Sequence, residues 1–370
     1  MQSVNERTAP IDLEQLIERL PLAPSPSLPL DPAALSAESA ARVEAILEDQ
    51  LAAHTKRAYR KALELWCLWY RLRYGSTLPL PVPVPVVQQF VIDFVPHRVG
   101  DDWSHALPEA VDAWLVQLGA KAKPGPWALA TVLARVAALG TAHRWQKLDS
   151  PTEAPDVTRL LESLKRQQAA AGIRQKQSDA ITAEDLKKML AVCEEDLRGL
   201  RDRALLAFAF ASGGRRRSEV VAARVEDLAR QADGSWLYSM RVSKTNPTGE
   251  VRADSRKPIT GMAAELLDQW MAASGIRFGP VWRRVVKGQV TAPLSASAVR
   301  GIVMARAKQA GITGNITAHS LRSGFVTEAG KQEAPLPDVM AMTGHRSVQT
   351  LMRYYRPAEL AKKKAGRLLG

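Results

Sequence analysis

The chain is poor in the residues that several common chemistries require. It holds 2 cysteines in 370 residues, Cys67 and Cys193, far apart and each inside a helical pattern. Two such thiols build no disulfide framework and fit a reduced, cytoplasmic protein. Four of its 6 histidines, His54, His97, His105 and His143, are scattered. No HExxH or Cys/His spacing exists, which disfavours a metal hydrolase, and no metal is expected. Gly-Lys-Ser/Thr is absent, so the glycine-containing turns are not nucleotide-binding phosphate loops. No apolar run reaches membrane length; the one from Leu78 to Ile92 is broken by four prolines. The N-terminus has acidic residues and no signal-peptide core. Acidic residues are the minority, 38 against 51 basic, for a net charge of +13 and a pI near 9.9. A chain this basic suits a polyanionic partner, nucleic acid first; a basic soluble protein from a GC-rich genome has the same composition.

The length suggests two domains. Residues 1–36 are Pro- and Ser-rich and are expected to stay flexible. Residues 37–172 read as an all-helical domain. Ser39 to Leu51 and Thr55 to Tyr74 carry helical patterns, the second with Tyr59, Leu63, Trp66 and Tyr70 on one stripe. Lys56, Arg57, Arg60 and Lys61 lie early on that helix, and Arg71 and Arg73 late, as a candidate phosphate-contacting face; a solvated face is the plain alternative. LPLPVPVPV (78–86) reads as a stiff connector. Further helical patterns cover Pro85 to Val95, Leu107 to Leu118, Trp127 to Trp145 and Pro155 to Ala171. Residues 173–370 form the second domain. Thr182 and Asp185 make a capping-box variant, a helix spans Leu200 to Ala211, and Trp236 to Val242 alternates as a strand after an Asp233–Gly234 turn signal. Everything from Gly261 onward reads as helical. The fold class is therefore mainly α, with a small antiparallel β-sheet in the C-terminal domain.

The second domain carries Arg216 in GGRRRSE, His319 and Arg322 in HSLRSG, His345 in TGHRS and Tyr354 in LMRYYRP. Two arginines, two histidines and a tyrosine can bind, neutralise and attack a phosphodiester. Arginine's planar fork pairs with two phosphate oxygens and stays charged. A phenol with a free pKa of about 10 needs a base or a cationic site, and the leaving oxygen needs a proton donor. His319 and Arg322, three apart after a Thr317 cap, share a helix face. In the short helix after Ser347, Val348, Leu351, Met352 and Tyr355 form an apolar stripe. Tyr354 is turned off it by ~100°, so Tyr354 is the tyrosine placed to react. Glu219 is positioned to orient an arginine from behind.

These boxes resemble those of the tyrosine site-specific recombinases, the phage-integrase family. RDRALLAFAFASGGRRRSEVVAARVEDL looks like the family's first arginine box, HSLRSGF its His-x-x-Arg box and TGHRSVQTLMRYYRP its last. The family's arginine lies three before the glutamate, which selects Arg216 from the run. Its nucleophile lies nine after the histidine, which again selects Tyr354. Lys244 in RVSKTNP matches the family's hairpin-turn lysine. Gly214 stands where a bulky residue is usual. LAAHTKRAYRKALELWCLWY is similar, more loosely, to the opening of the family's helical SAM-like core-binding domain.

The resemblance implies attack by Tyr354, a 3′-phosphotyrosyl link, clamping by Arg216 and Arg322, base or donor work by His319 and donation by His345. Lys244 would protonate the 5′ oxygen. It implies no cofactor and no ATP. It also implies double-stranded DNA with specific recombination sites, a homo-tetramer on DNA acting through a Holliday junction, a monomer in solution, and a cytoplasmic, nucleoid-associated bacterial setting with no membrane. The alternatives are a type IB topoisomerase-like relaxing enzyme and a non-catalytic DNA-binding relative.

Overall fold

The computed structural model describes residues 38–39, 42, 53–173, 177–240, 255–349 and 351–352. The chain divides into two units, Met1–Arg174 and Gln175–Gly370, each with its own hydrophobic core. Residues 1–36, most of the 39–51 pattern, Lys244, Tyr354 and Tyr355 lie outside the described residues. No helix among the described residues is long and apolar enough to cross a membrane.

The first unit consists of α1 (Ala53–Tyr74), α2 (Val84–Phe94), α3 (Glu109–Gln117), α4 (Leu129–Trp145) and α5 (Pro155–Ala170). On α1 the buried stripe is Leu65, Trp66, Trp69 and Tyr70. It is rotated from the predicted one, so Tyr59 and Leu63 are only partly covered. Trp66 stacks on Phe90 of α2, and Trp69 meets the same ring edge-on. These large rings are direct apolar contacts between α1 and α2.

Asp93 is fully buried among them. Its carboxylate accepts from Trp69 Nε1 (2.8 Å), Arg73 Nε (2.9 Å) and Gln89 Nε2 (2.7 Å), which meets the need of a buried anion for partners. Arg73 is thereby removed from the expected basic face. Arg57, Arg60, Lys61 and Arg71 are exposed, and Lys56 is half-buried.

The Pro-rich connector is not a free spacer. Val82, Val86 and Val87 are buried, and α2 begins inside the connector, with Pro85 in its first turn where a missing N–H does no harm. A two-stranded hairpin, β1 (His97–Val99) with β2 (Asp102–Ser104), interrupts the region expected to be all helical.

In the second unit, α6 (Ala183–Ala191) opens on the expected capping box. Asp185 N–H donates to Thr182 Oγ1 (3.2 Å) and Thr182 N–H to Asp185 Oδ2 (3.0 Å). Then comes α7 (Leu197–Ala211), whose Ala204–Ala209 stretch is wholly buried. A helix apolar all round belongs at the centre of its unit. Phe208 contacts Tyr238 and Trp282 there, and Ile259, Trp270 and Leu321 complete the core.

After α8 (Arg217–Ala222), β3 (Leu228–Arg230), β4 (Trp236–Ser239) and β5 (Arg256–Ile259) form one antiparallel sheet. Next are α9 (Met262–Ser274), β6 (Arg283–Val286), β7 (Gln289–Pro293), α10 (Ala296–Gln309), α11 (Ser320–Lys331) and α12 (Leu336–Thr343). The β6–β7 hairpin corrects the expectation of helix throughout the region after Gly261. Its turn residues, Lys287 and Gly288, have φ of 50° and 74°, the left-handed pair that matches strand twist in a two-residue loop.

Candidate active site

A cleft of about 310 Å³ opens in the second unit. It is lined by Arg216, Arg217 and Ser218 at the start of α8, Arg300 of α10, and Thr317, Ala318 and His319 leading into α11. Two glycines bring these pieces together. Gly213 and Gly214 follow α7 with φ of 96° and 65°, values that L side chains avoid. A Cβ on Gly214 would stand 2.3 Å from Arg322 Cα, and one on Gly213 2.2 Å from the Met342 carbonyl oxygen. So the bulky residue usual at position 214 has no space here. The bare backbone lets the Arg216 turn lie against α11 and α12.

Arg216 then occupies the N-cap position of α8. Its backbone N–H donates to Glu219 Oε2 (3.1 Å) and its Nη1 to Glu219 Oε1 (2.6 Å). Glu219 is buried and also lies 3.7 Å from Arg215. Burial works to raise its carboxyl, but Arg215 and Arg216 outweigh that and leave it below its ordinary range. Glu219 thus grips both the backbone and the side chain of Arg216.

His319 caps α11. Its N–H donates to Thr317 Oγ1 (3.1 Å), so Thr317 orients the turn while His319, not Thr317, occupies the cap position. One turn on, Arg322 is 1% exposed. It donates from Nη1 to the Gly214 carbonyl (3.3 Å) and from Nη2 to the Thr343 carbonyl (2.7 Å), and Nη2 lies 3.3 Å from His345 Nε2. His345 follows the left-handed Gly344, and its Nδ1 is 2.8 Å from Thr343 Oγ1. Because the Thr343 hydroxyl donates to the Val339 carbonyl (2.7 Å), its oxygen accepts from Nδ1–H. The neutral ring therefore presents an unprotonated Nε2.

Both histidines are held low, first by burial and then by positive charge. His319 is depressed by burial, Arg322 and Arg216. His345 is pushed down to about 4 by burial, Arg322 and Arg216, with smaller contributions from His319 and Arg215. The electrostatics report a cationic pocket built for an anion. Arg216, His319, Arg322, His345 and Glu219 come together from positions up to 129 residues apart (345 − 216). Lys244 and Tyr354 lie outside the described residues, and Lys56, Arg57, Arg60 and Lys61 belong to the other unit. In the short segment after Ser347, Leu351 is buried but Val348 is 48% exposed, so Val348 leaves the predicted stripe. Sequence reasoning missed Arg215, Arg217, Lys257 and Arg300. A run of three arginines hides two of them, and the other two sit in segments without a motif.

A mainly helical chain with small antiparallel sheets is the fold of the tyrosine recombinase catalytic domains that this chain resembles in structure. Residues 179–360 match the phage integrase family, and the chain belongs to that family as a tyrosine recombinase. It is 28% identical over 270 residues to the integrase/recombinase xerD homolog of Selenomonas ruminantium, spanning 70% of this chain and 76% of that protein. It is 26% identical over 272 residues to the recombinase cre of Escherichia phage P1, spanning 69% and 77%. A solved structure of the Tn1549 transposon integrase, in complex with transposon right end DNA, aligns over 90% of this chain and 98% of that one. With a TM-score of 0.53 and 12% identity, it supports the fold alone.

Proposed function

We propose that this recombinase cleaves and rejoins specific DNA sites through a covalent 3′-phosphotyrosyl link on Tyr354, without metal or ATP. The observation that supports this reading is the convergence of four side chains: Arg216 and His319 line one cleft, and Arg322 and His345, 3.3 Å apart, lie close enough for Arg216 and Arg322 to depress both imidazoles. Attack on a phosphodiester builds negative charge on its non-bridging oxygens, and fixed cationic donors lower that barrier most. Arg216, oriented by Glu219, and Arg322, held by two carbonyls, are the clamp. His319, kept neutral by its surroundings, accepts the phenolic proton as Tyr354 Oη bonds to phosphorus. The P–O5′ bond breaks, and the 5′ oxygen takes its proton from Lys244. Attack by a 5′ hydroxyl from a partner strand reverses each step, so the ester bond energy is kept in the link and no nucleotide is consumed. The basic face of α1 supplies further phosphate contacts, and protomers assemble as a tetramer on two sites.

Trapping on a nicked suicide substrate tests the reading. Tyr354→Phe should bind DNA normally and give no covalent complex, with or without EDTA, while Tyr355→Phe should trap as the unaltered protein does. Loss of trapping in Tyr355→Phe alone would reassign the nucleophile. Loss in EDTA would end the metal-free mechanism.

A further inference from the structure

The end of α12 is held by cations from three separate parts of the second unit. A helix leaves its last four carbonyls without intrahelical donors, at the negative end of its dipole. Here Lys257 Nζ of β5 donates to the Ala341 carbonyl, and Arg215 Nη2, from the turn after α7, to the Met342 carbonyl. Arg322 Nη2 of α11 donates to the Thr343 carbonyl at 2.7 Å. Three consecutive carbonyls thus each receive a charged donor. Each of the three side chains is 1% exposed. Burying a cation is costly, and an apolar residue would fill a buried strand position more cheaply. The compensation at this place is a charge-assisted bond to an oxygen that has lost water. Gly344 and His345 follow directly. The Gly344 N–H donates to the Met340 carbonyl (2.7 Å), and Leu351 is buried against Val326 and Val339.

We propose that Lys257 and Arg215 are positioning residues for strand cleavage: with Arg322 they form a collar around the end of α12 that fixes the Arg322 guanidinium and His345 relative to each other. The proposal rests on the recombinase reading above. Arg322 joins the collar to His345, since one guanidinium nitrogen holds Thr343 and lies 3.3 Å from His345. A shift of the helix end therefore moves a clamp arginine and a histidine together. Misplacement by about 1 Å lowers a chemical step by as much as ~100-fold while leaving binding contacts elsewhere intact.

The test is cleavage of a nicked suicide substrate at saturating DNA, with Kd and Tm measured on the same samples. Lys257→Met and Arg215→Met keep most of the volume and remove the charge. Each should slow covalent complex formation by roughly 30- to 100-fold with Kd within about threefold of the unaltered protein. Cleavage at the unaltered rate, or a fall in rate matched by an equal weakening of binding, would overturn the proposal. Should the Met variants fail to fold, Lys257→Arg and Arg215→Lys decide it. With charge kept and reach altered, they should bind normally and cleave roughly five- to thirtyfold more slowly; unaltered rates would sink the collar. Absence of any covalent complex in the unaltered protein would instead sink the recombinase mechanism itself.

Discussion

His345 shows how one residue's surroundings set a measurable property of the whole protein. Arg322, Arg216, His319 and Arg215 all lie around its ring, and burial adds to their effect. Its native pKa of about 4 lies below the ordinary 6.5, so the folded state binds its proton less readily than the unfolded chain does. The stabilisation from keeping this ring neutral is complete above about pH 6.5 and is lost as pH falls toward about 4. His319 is shifted in the same direction. The Tm of the unaltered protein should therefore fall across that window, and His345→Gln should lose part of the fall. Parallel Tm profiles for the two proteins between pH 7 and pH 4 would refute the assignment. A bound phosphate reverses the sign locally, because an anion beside the ring favours its charged form. On the proposed reading, a ring with Nδ1–H committed to Thr343 would in this way gain a second N–H for a phosphate oxygen. Much of this is unreadable in the sequence. HxxR spacing puts His319 beside Arg322, but nothing in TGHRS says that Arg322 reaches across to it.

At the scale of elements, α7 and α10 are joined by a buried ion cluster that places the cleft's Arg300 wall. Asp202 of α7 is saturated on both oxygens. Arg201 Nε and Nη2 hold Oδ1 at 2.9 and 2.6 Å, and Arg306 Nε and Nη2 of α10 hold Oδ2 at 2.9 and 2.7 Å. Glu194 approaches Arg306 at 2.6 Å from the solvent side, and that contact draws its carboxyl down to about 2. Replacing one member of a buried pair leaves the others uncompensated, at about 3–5 kcal/mol. Asp202→Asn should therefore lower unfolding free energy in urea by about that amount, and a change under about 1 kcal/mol would show that the cluster is not structural.

Long helices with strong stripes are legible in the sequence, as are the Thr182 box and the Asp233–Gly234 turn, because each is a local pattern. The β1–β2 and β6–β7 hairpins are not. Strands of 3 to 5 residues are too short for alternation to stand out. Gly100–Asp101 and Lys287–Gly288 are their one signal. The collar is invisible for a different reason: its acceptors are backbone carbonyls, which have no letter in a sequence.

For the whole molecule, the net charge of +13 lies entirely in the second unit, since the first carries 19 basic and 19 acidic residues; the first unit still presents a local basic face on a core of its own, so binding and chemistry should divide between the two. On the proposed reading, Arg57, Arg60 and Lys61, exposed on α1 of the first unit, act on DNA through phosphates alone. Every phosphate that a variant no longer neutralises reduces the slope of log K against log salt by about 0.9. The triple change to Gln should therefore flatten that slope by up to about 3 and raise Kd, yet leave the cleavage rate at saturating DNA unaltered. Arg216→Ala in the second unit should do the reverse, slowing cleavage by roughly 100-fold or more with a small effect on Kd. Because the two sets of side chains belong to separate units, the combined variant should show the Kd of the first and the rate of the second, each within about twofold. A combined variant that cleaves far more slowly than Arg216→Ala at saturation would mean that α1 contributes to the chemical step. An unchanged salt slope in the triple variant would remove α1 from the DNA interface.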